Sequence, residues 1–474
     1  MALLPLLTRS LGQPLFLPAH GRGAALPAEL RKLLQRRAGL WDLPELPSLG
    51  GPLEPNGAIG ESQRAAAAAI GVDHCWYGVN GATGLLQAAL LGIASPGETV
   101  LLPRNCHRSV IQACVLGDLN PLLFDLPFQT DRGHPAPADG AWMKKVLAAL
   151  PHQTPRIAAA LLVHPTYQGY ATNPKPLIDG LHSLGCPVLV DEAHGAHFAA
   201  HVDEHLPKSA LQGGADLVVH SLQKSATGLA QTAVLWMQGQ RVDPDRIRRS
   251  LGLLQTSSPS ALLLASCETA LQQWQHDRGR EQLRQRLVEA RRLETTLKED
   301  GIPLLNTQDP LRLVLHTGQA GINGLEADEW FMNHGLVAEL PEPATLTFCL
   351  GLAKQKTLRA ELRKQWTALR KSHQGKTPFP PFEPPPLPLV SALEMSPSTA
   401  WNAARQTIPL EAAEDQVSAE LLCPYPPGIP LLVPGERLDG RRLTWLLGQQ
   451  KLWGKQIPEQ LMVIERMKSH QLHV

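Results

Sequence analysis

Two residues 33 positions apart, Asp191 and Lys224, carry the chain's most suggestive chemistry. Lys224 follows the apolar run LVVHS in HSLQKSATG. A lysine just past the carboxyl end of a strand faces the crevice where α/β sheets bind ligands. Desolvated there, its amine loses a proton readily and can form a Schiff base. Asp191 closes the apolar run of PVLVDEAHG. Taken singly, a lysine after a strand is ordinary, and the acid reads equally as a helix cap or a metal ligand. On neighbouring strand ends the pair matches the needs of pyridoxal phosphate. A carboxylate keeps the pyridine nitrogen protonated, and the lysine holds the aldehyde as an imine.

A phosphate needs its own cradle. NGATG (80–84) runs from an apolar stretch into LLQAALLG, so Gly81 and Ala82 stand where a helix offers free N–H groups and a positive dipole. Thr83 and Ser221 add hydroxyls. A plain strand–helix turn explains NGATG as well. His107, in LPRNCHRS, reads either as a ring stacking on a cofactor or as a cap for the next helix. His194 and His197 share the i, i+3 spacing of zinc ligands, but no cysteine or third histidine is suitably spaced, so no metal is expected. His194 fits better beside the cofactor's phenolic oxygen.

The elements that position these residues alternate. CWYGV, ETVLLP, PLLFDL, RIAAALLVHPT, PVLVDEAHG and ADLVVHS are short apolar runs, most of them separated by helical segments. Such strands imply a mostly parallel sheet covered on both faces. ESQRAAAAAIG predicts a helix stopped at Gly71. Residues 1–60 carry little periodicity and read as an arm that wraps a neighbouring surface. Residues 61–290 read as the major domain, 291–376 as a smaller α+β domain with strands at 309–317, GLVAEL and TLTFCLG. Residues 377–390 form a proline-rich connector and 391–474 a last domain.

Composition narrows the class. Of 474 residues, 43% are hydrophobic, and Lys+Arg 44 against Asp+Glu 43 leaves a formal charge of +1. That balance excludes a general electrostatic binder of nucleic acid. No run approaches the roughly 18 apolar residues of a membrane span. Met1–Gly12 lacks a basic leader and is broken by Pro5, so it reads as a packed arm. The 7 scattered cysteines form no CxxC pair and point to a reduced, cytoplasmic protein.

Four blocks together resemble the Orn/Lys/Arg decarboxylase family of fold type I pyridoxal-phosphate enzymes. They are LPAHGRG, VNGATG, the series HPTYQGY–VDEAHGAHF–HSLQK, and CPYPPGIPLLVPGE at 423–436. GINGLEADEWFMNHGLVAEL at 321–340 extends the likeness into the small domain. The resemblance implies an α/β fold: a seven-stranded, aspartate aminotransferase-like major domain sandwiched by helices, with smaller α+β domains after it. It also implies the short form, without an N-terminal wing domain. Lys224 would be the Schiff-base lysine and Asp191 the partner of the ring nitrogen. His107 would stack on the ring and His194 lie near the phenolic oxygen. Gly81, Ala82, Thr83 and Ser221 would hold the phosphate. Family members are homodimers or larger assemblies with sites at the interface, so the arm around His20 and the CPYPPGIP segment would complete a neighbour's pocket.

The chain departs from the family pattern at three places. Gln223 stands where a histidine usually precedes the lysine, Ala82 replaces a hydroxyl residue, and Pro18-Ala19-His20-Gly21 replaces Pro-Gly-His-Lys. The expected activity is decarboxylation of lysine, arginine or ornithine to the amine, a step that feeds polyamine synthesis. Another fold type I reaction such as transamination, and a degenerate scaffold without turnover, remain open. Glu339, Glu342 and Glu436 are candidates to recognise the substrate's distal cation.

Overall fold

The computed structural model describes residues 12–36, 38–44, 46–424 and 428–465. The leading apolar residues 1–11, the centre of the CPYPPGIP motif (425–427) and the last residues, 466–474, lie outside them. The large sheet takes strands β1 (His74–Gly78), β2 (Thr99–Pro103), β3 (Asn120–Phe124), β4 (Ile157–Val163), β5 (Val188–Asp191), β6 (Leu217–Ser221) and β7 (Ala233–Met237). A small sheet holds β8 (Leu304–Leu305), β9 (Arg312–Leu315), β10 (Leu340–Glu342) and β11 (Thr345–Cys349), all antiparallel. A last strand, β12 (Val390–Ala392), crosses back to the edge of the large sheet and pairs antiparallel with β3. The large sheet therefore runs β12-β3-β2-β4-β5-β6-β7-β1.

Strands β2 to β6 pair in parallel, whereas β7 is antiparallel to both β6 and β1. Alternate residues bury into two separate cores. Leu101, Val188, Val190 and Val218 face one; Val100, Leu102, Leu189, Leu217 and Val219 face the other. That double burial is why the strands read as unbroken apolar runs. Strand β7, AVLWM, is absent from the sequence reading, which lists six runs.

Helix α1 (Gly57–Ile70) ends at Gly71, whose φ of 84° gives a left-handed cap, as the sequence predicts. Helix α2 (Gly81–Ile93) leads from β1, and α3 (Arg108–Gly117) follows β2. The long helix α4 (Asp277–Glu299) runs through residue 290 into the small sheet's region. A third core, built around Leu410, Leu432, Leu443 and Leu461, belongs to the C-terminal segment.

The described part of the arm packs along its own chain. Gln13–Pro14 pairs in parallel with Leu336–Val337, Leu15 is fully buried, and its carbonyl accepts the Cys349 N–H at 2.7 Å. Ala19 donates to the Gln223 carbonyl and accepts from Leu352 N–H, each at 2.8 Å. Among the described residues, no helix is long and apolar enough to cross a membrane.

Candidate active site

Parallel pairing sets Asp191, the last residue of β5, beside Val163 of β4 and Val219 of β6. Strand β6 ends at Ser221, and one short helical turn, Leu222–Ser225, presents Lys224. Both groups thus emerge at the carboxyl end of the sheet, where open α/β folds bind ligands. The Asp191 carboxylate is buried and accepts the Ala193 N–H at 3.1 Å. Lys224 Nζ lies 3.0 Å from His194 Nε2 and 5.6 Å from the centre of the Tyr167 ring. Burial pushes the Asp191 pKa up, and the Lys224 charge opposes it. Burial likewise pushes Lys224 down, against the pull of Asp191 and Glu339.

A cavity of about 200 Å³ gathers the sequence's nominees. Gly81, Ala82, Thr83, His107, Asp191, His194, Ser221, Gln223 and Lys224 all line it. A larger cleft of about 780 Å³, between residues 24–31, 269–289 and 352–354, contains none of them. Chemistry, and not volume, marks the site.

One end of the cavity is the first turn of α2. Gly81 has φ +70°, and a Cβ there would meet nothing within 4 Å, so backbone conformation and not crowding calls for glycine. Its N–H is committed to the Gln231 carbonyl at 2.8 Å. The first-turn N–H groups of Ala82 and Thr83 have no intrahelical acceptor and face the cavity end. Gly81 supplies the turn, which leaves the N–H groups of Ala82 and Thr83 free at this end of the cavity.

His107 caps the next helix, as one of its sequence readings has it. Its Nδ1 accepts the Ser109 N–H at 3.2 Å, which caps α3, while the ring lines the cavity. Burial first, then Lys224 and Arg108, hold its pKa down to about 4. His194 and His197 part company: His194 faces the cavity, and His197 is wholly buried behind it with Nε2 3.0 Å from Asp309.

Several neighbours carried no assigned role in the sequence. Tyr167 packs its ring 4.3 Å from that of His194 and donates its hydroxyl to Glu339. Gln168 and Asn105 also line the cavity. Arg312, at the start of β9, is buried with Nη2 3.4 Å from His194 Nδ1. Tyr167 stands just past the end of β4, so the strand-end rule that found Asp191 and Lys224 would have found it. Arg312 was signalled by a cation inside the apolar run DPLRLVL, a position arginine rarely fills when fully buried.

The three candidate acids separate. Glu436 lies outside the cavity lining, locked by Arg104 and Arg442, with its pKa lowered to about 2 by those cations against burial. It is not available to a substrate. Glu342 is buried behind Gln168, whose amide donates to both its oxygens at 3.0 Å. Glu339 is half-buried and accepts from Tyr167 and from Leu17 N–H at 2.8 Å.

Residues 40–314 match the family model for the Orn/Lys/Arg decarboxylase major domain, and residues 389–458 match that for its C-terminal domain. An arginine decarboxylase of Bacillus subtilis is 29% identical over 449 residues, covering 91% of this chain and 89% of its own. Lysine decarboxylase A from Pseudomonas aeruginosa superposes with a TM-score of 0.75 at 18% identity, covering 94% of this chain and 78% of that one. The constitutive lysine decarboxylase of E. coli gives 0.72 at 18% identity, over 88% and 74%. At these identities the two structures speak for the fold.

Proposed function

The chain belongs to the Orn/Lys/Arg decarboxylase family, and from that premise we propose how its cavity decarboxylates a basic amino acid, with arginine as the substrate. The observation that carries the reading is the pairing of a buried Asp191 with a half-buried Lys224 just past the carboxyl ends of adjacent strands. Arginine is favoured over lysine and ornithine because relatives aligning over nine-tenths of the chain are named arginine decarboxylases.

The donor set fits pyridoxal phosphate. A buried carboxylate suits a protonated ring nitrogen, a lysine of lowered pKa suits an aldehyde, and a helix N-terminus suits a phosphate. When bound, that cofactor supplies the electron sink for the carbanion left by loss of CO₂.

The chain's residues supply the rest. Lys224 contributes the amine that anchors the aldehyde and later returns a proton to Cα. Asp191 keeps its negative charge against the ring nitrogen. The N–H groups of Ala82 and Thr83, with Ser221 and Gln223, would hold the cofactor's phosphate. His107 is fixed by Ser109 and stays neutral at physiological pH, so it stacks without adding charge. His194 presents Nε2 beside Lys224. Glu339, aligned by Tyr167 and close enough for its charge to act on Lys224, receives the substrate's distal cation. We also assign the protein to the cytoplasm as a homodimer, on the support of its free, mostly buried cysteines and of the family's habit.

Purified protein reduced with borohydride and then digested should show a pyridoxyl group on Lys224. Carbon dioxide release from arginine, lysine and ornithine then tests the reaction. Release from arginine at the highest kcat/KM is the expected result. An amine-for-ketone exchange without CO₂ release would replace decarboxylation by transamination, and a protein that takes up no cofactor would be a scaffold.

A further inference from the structure

Behind the cavity lies a buried cation that the reaction as described does not use. Arg312 is 2% exposed, and its nearest carboxylate atom is Asp309 Oδ2 at 3.9 Å. The other oxygen of Asp309 already takes His197 Nε2 and the Leu311 N–H. Arg312 Nε has no hydrogen-bond partner. Burying a guanidinium costs several kcal/mol unless its neighbours compensate it fully. Packing alone would be served as well by an apolar side chain. Its Nη1 donates to the adjacent Leu311 carbonyl at 3.4 Å, and its Nη2 stands 3.4 Å from Nδ1 of the imidazole that lines the cavity, His194.

A guanidinium carries donors and no acceptor, and it does not lose its proton in proteins. The nitrogen facing it must therefore present a lone pair. A neutral histidine has one ring proton, so that proton sits on Nε2. Nε2 is 3.0 Å from Lys224 Nζ. An ammonium group has no lone pair to accept an N–H, whereas a neutral amine has one. We infer that Arg312 is a positioning residue: it fixes His194 as the Nε2-protonated tautomer and so requires Lys224 to be an uncharged hydrogen-bond acceptor before any aldehyde arrives. An uncharged amine is the form that attacks a carbonyl. The Tyr167 ring, 4.3 Å from that of His194, restricts the imidazole from flipping. Burial first, with the Arg312 guanidinium adding to it, holds His194 far below its ordinary value, in keeping with a neutral imidazole.

The test uses the full-length, cofactor-free protein labelled with ¹⁵N-histidine. His194 signals are assigned by their loss in His194→Gln. Two-bond ¹⁵N–¹H correlations should show Nδ1 as the unprotonated nitrogen and Nε2 as the protonated one at neutral pH. Arg312→Met should mix the two tautomers, and Arg312→Lys, which keeps a donor, should largely restore the native pattern. A native protein with Nδ1 protonated overturns the inference, and so does a folded Arg312→Met with an unchanged pattern. If Arg312→Met does not fold, the native and Arg312→Lys spectra still decide. No turnover is measured, so a failure here leaves the decarboxylase reading standing, and a failed CO₂ assay leaves the tautomer result standing.

Discussion

Glu436 takes a hydrogen bond at 2.8 Å from Arg104, two residues of very different origin. Arg104 follows β2 and leads directly into Asn105 and His107 of the cavity; Glu436 comes from the segment beyond the proline-rich stretch. Arg442 closes the cluster from the opposite side with two further bonds at 2.8 Å, and Arg104 also reaches Ser391 of β12. The C-terminal segment thereby holds the loop that presents His107. Glu436 belongs to the compositionally odd PGE block, and it fastens that block to the loop that carries His107.

Glu436→Gln should destabilise the protein by about 3–5 kcal/mol, because it leaves buried cations without their partner. The carboxyl is held at about 2 against an ordinary 4.5, so the folded form binds its proton less readily than the unfolded chain. Its stabilisation is complete above about pH 4.5 and is lost as pH falls toward 2. Acid-unfolding curves of the native protein should show this dependence, and those of Glu436→Gln should be flatter in that window.

Lys224→Ala should abolish the borohydride-fixed adduct as well as turnover. Lys224 is the one lysine lining the described cavity, so no neighbour can substitute. A variant still labelled to full occupancy would remove Lys224 from its assigned role.

Asp191→Asn should keep the fold while losing activity. The carboxylate's bond within the protein is to the Ala193 N–H, which an amide oxygen accepts equally well. The lost charge is the one proposed to face the ring nitrogen, and removal of such a preorganised group costs roughly a hundredfold or more in rate. A melting temperature within a few degrees of native, together with near-native CO₂ release, would remove Asp191 from the mechanism.

The sheet and the cavity were legible in the sequence to different depths. Six strands were visible because both their faces are buried, which leaves unbroken apolar runs. Strand β7 was not, because it returns antiparallel straight after the Lys224 turn without the intervening helix that the alternation rule requires. The arm was silent for another reason. Leu15 and Ala19 make backbone hydrogen bonds to Val337, Cys349, Gln223 and Leu352, more than 200 residues away in the sequence, and such bonds leave no side-chain periodicity. Strand ends gave Asp191 and Lys224, but Arg312 reaches the site from a second sheet, and nothing in local spacing joins it to His194. Glu436 was misread because an acid in a distinctive motif looks functional until its two arginines are seen.

Gln223 offers the sharpest test of the phosphate end. Its side chain lines the cavity and is half-buried, while its backbone carbonyl is held by Ala19 N–H at 2.8 Å, so the residue's position is fixed independently of its side chain. A neutral amide donates one hydrogen bond to a phosphate and brings no charge. A histidine there can be cationic, and charge-assisted bonds are roughly twice as strong as neutral ones. The difference amounts to about 1–2 kcal/mol, on the order of tenfold in affinity. Gln223→His should therefore tighten pyridoxal phosphate binding about tenfold in titrations of the cofactor-free protein, and leave the order of substrate preference unchanged. The gain should shrink as pH rises and the imidazole loses its proton, which separates a charge effect from a packing effect. Equal or weaker affinity at every pH would place the phosphate entirely on Ala82, Thr83 and Ser221, and would make position 223 a bystander.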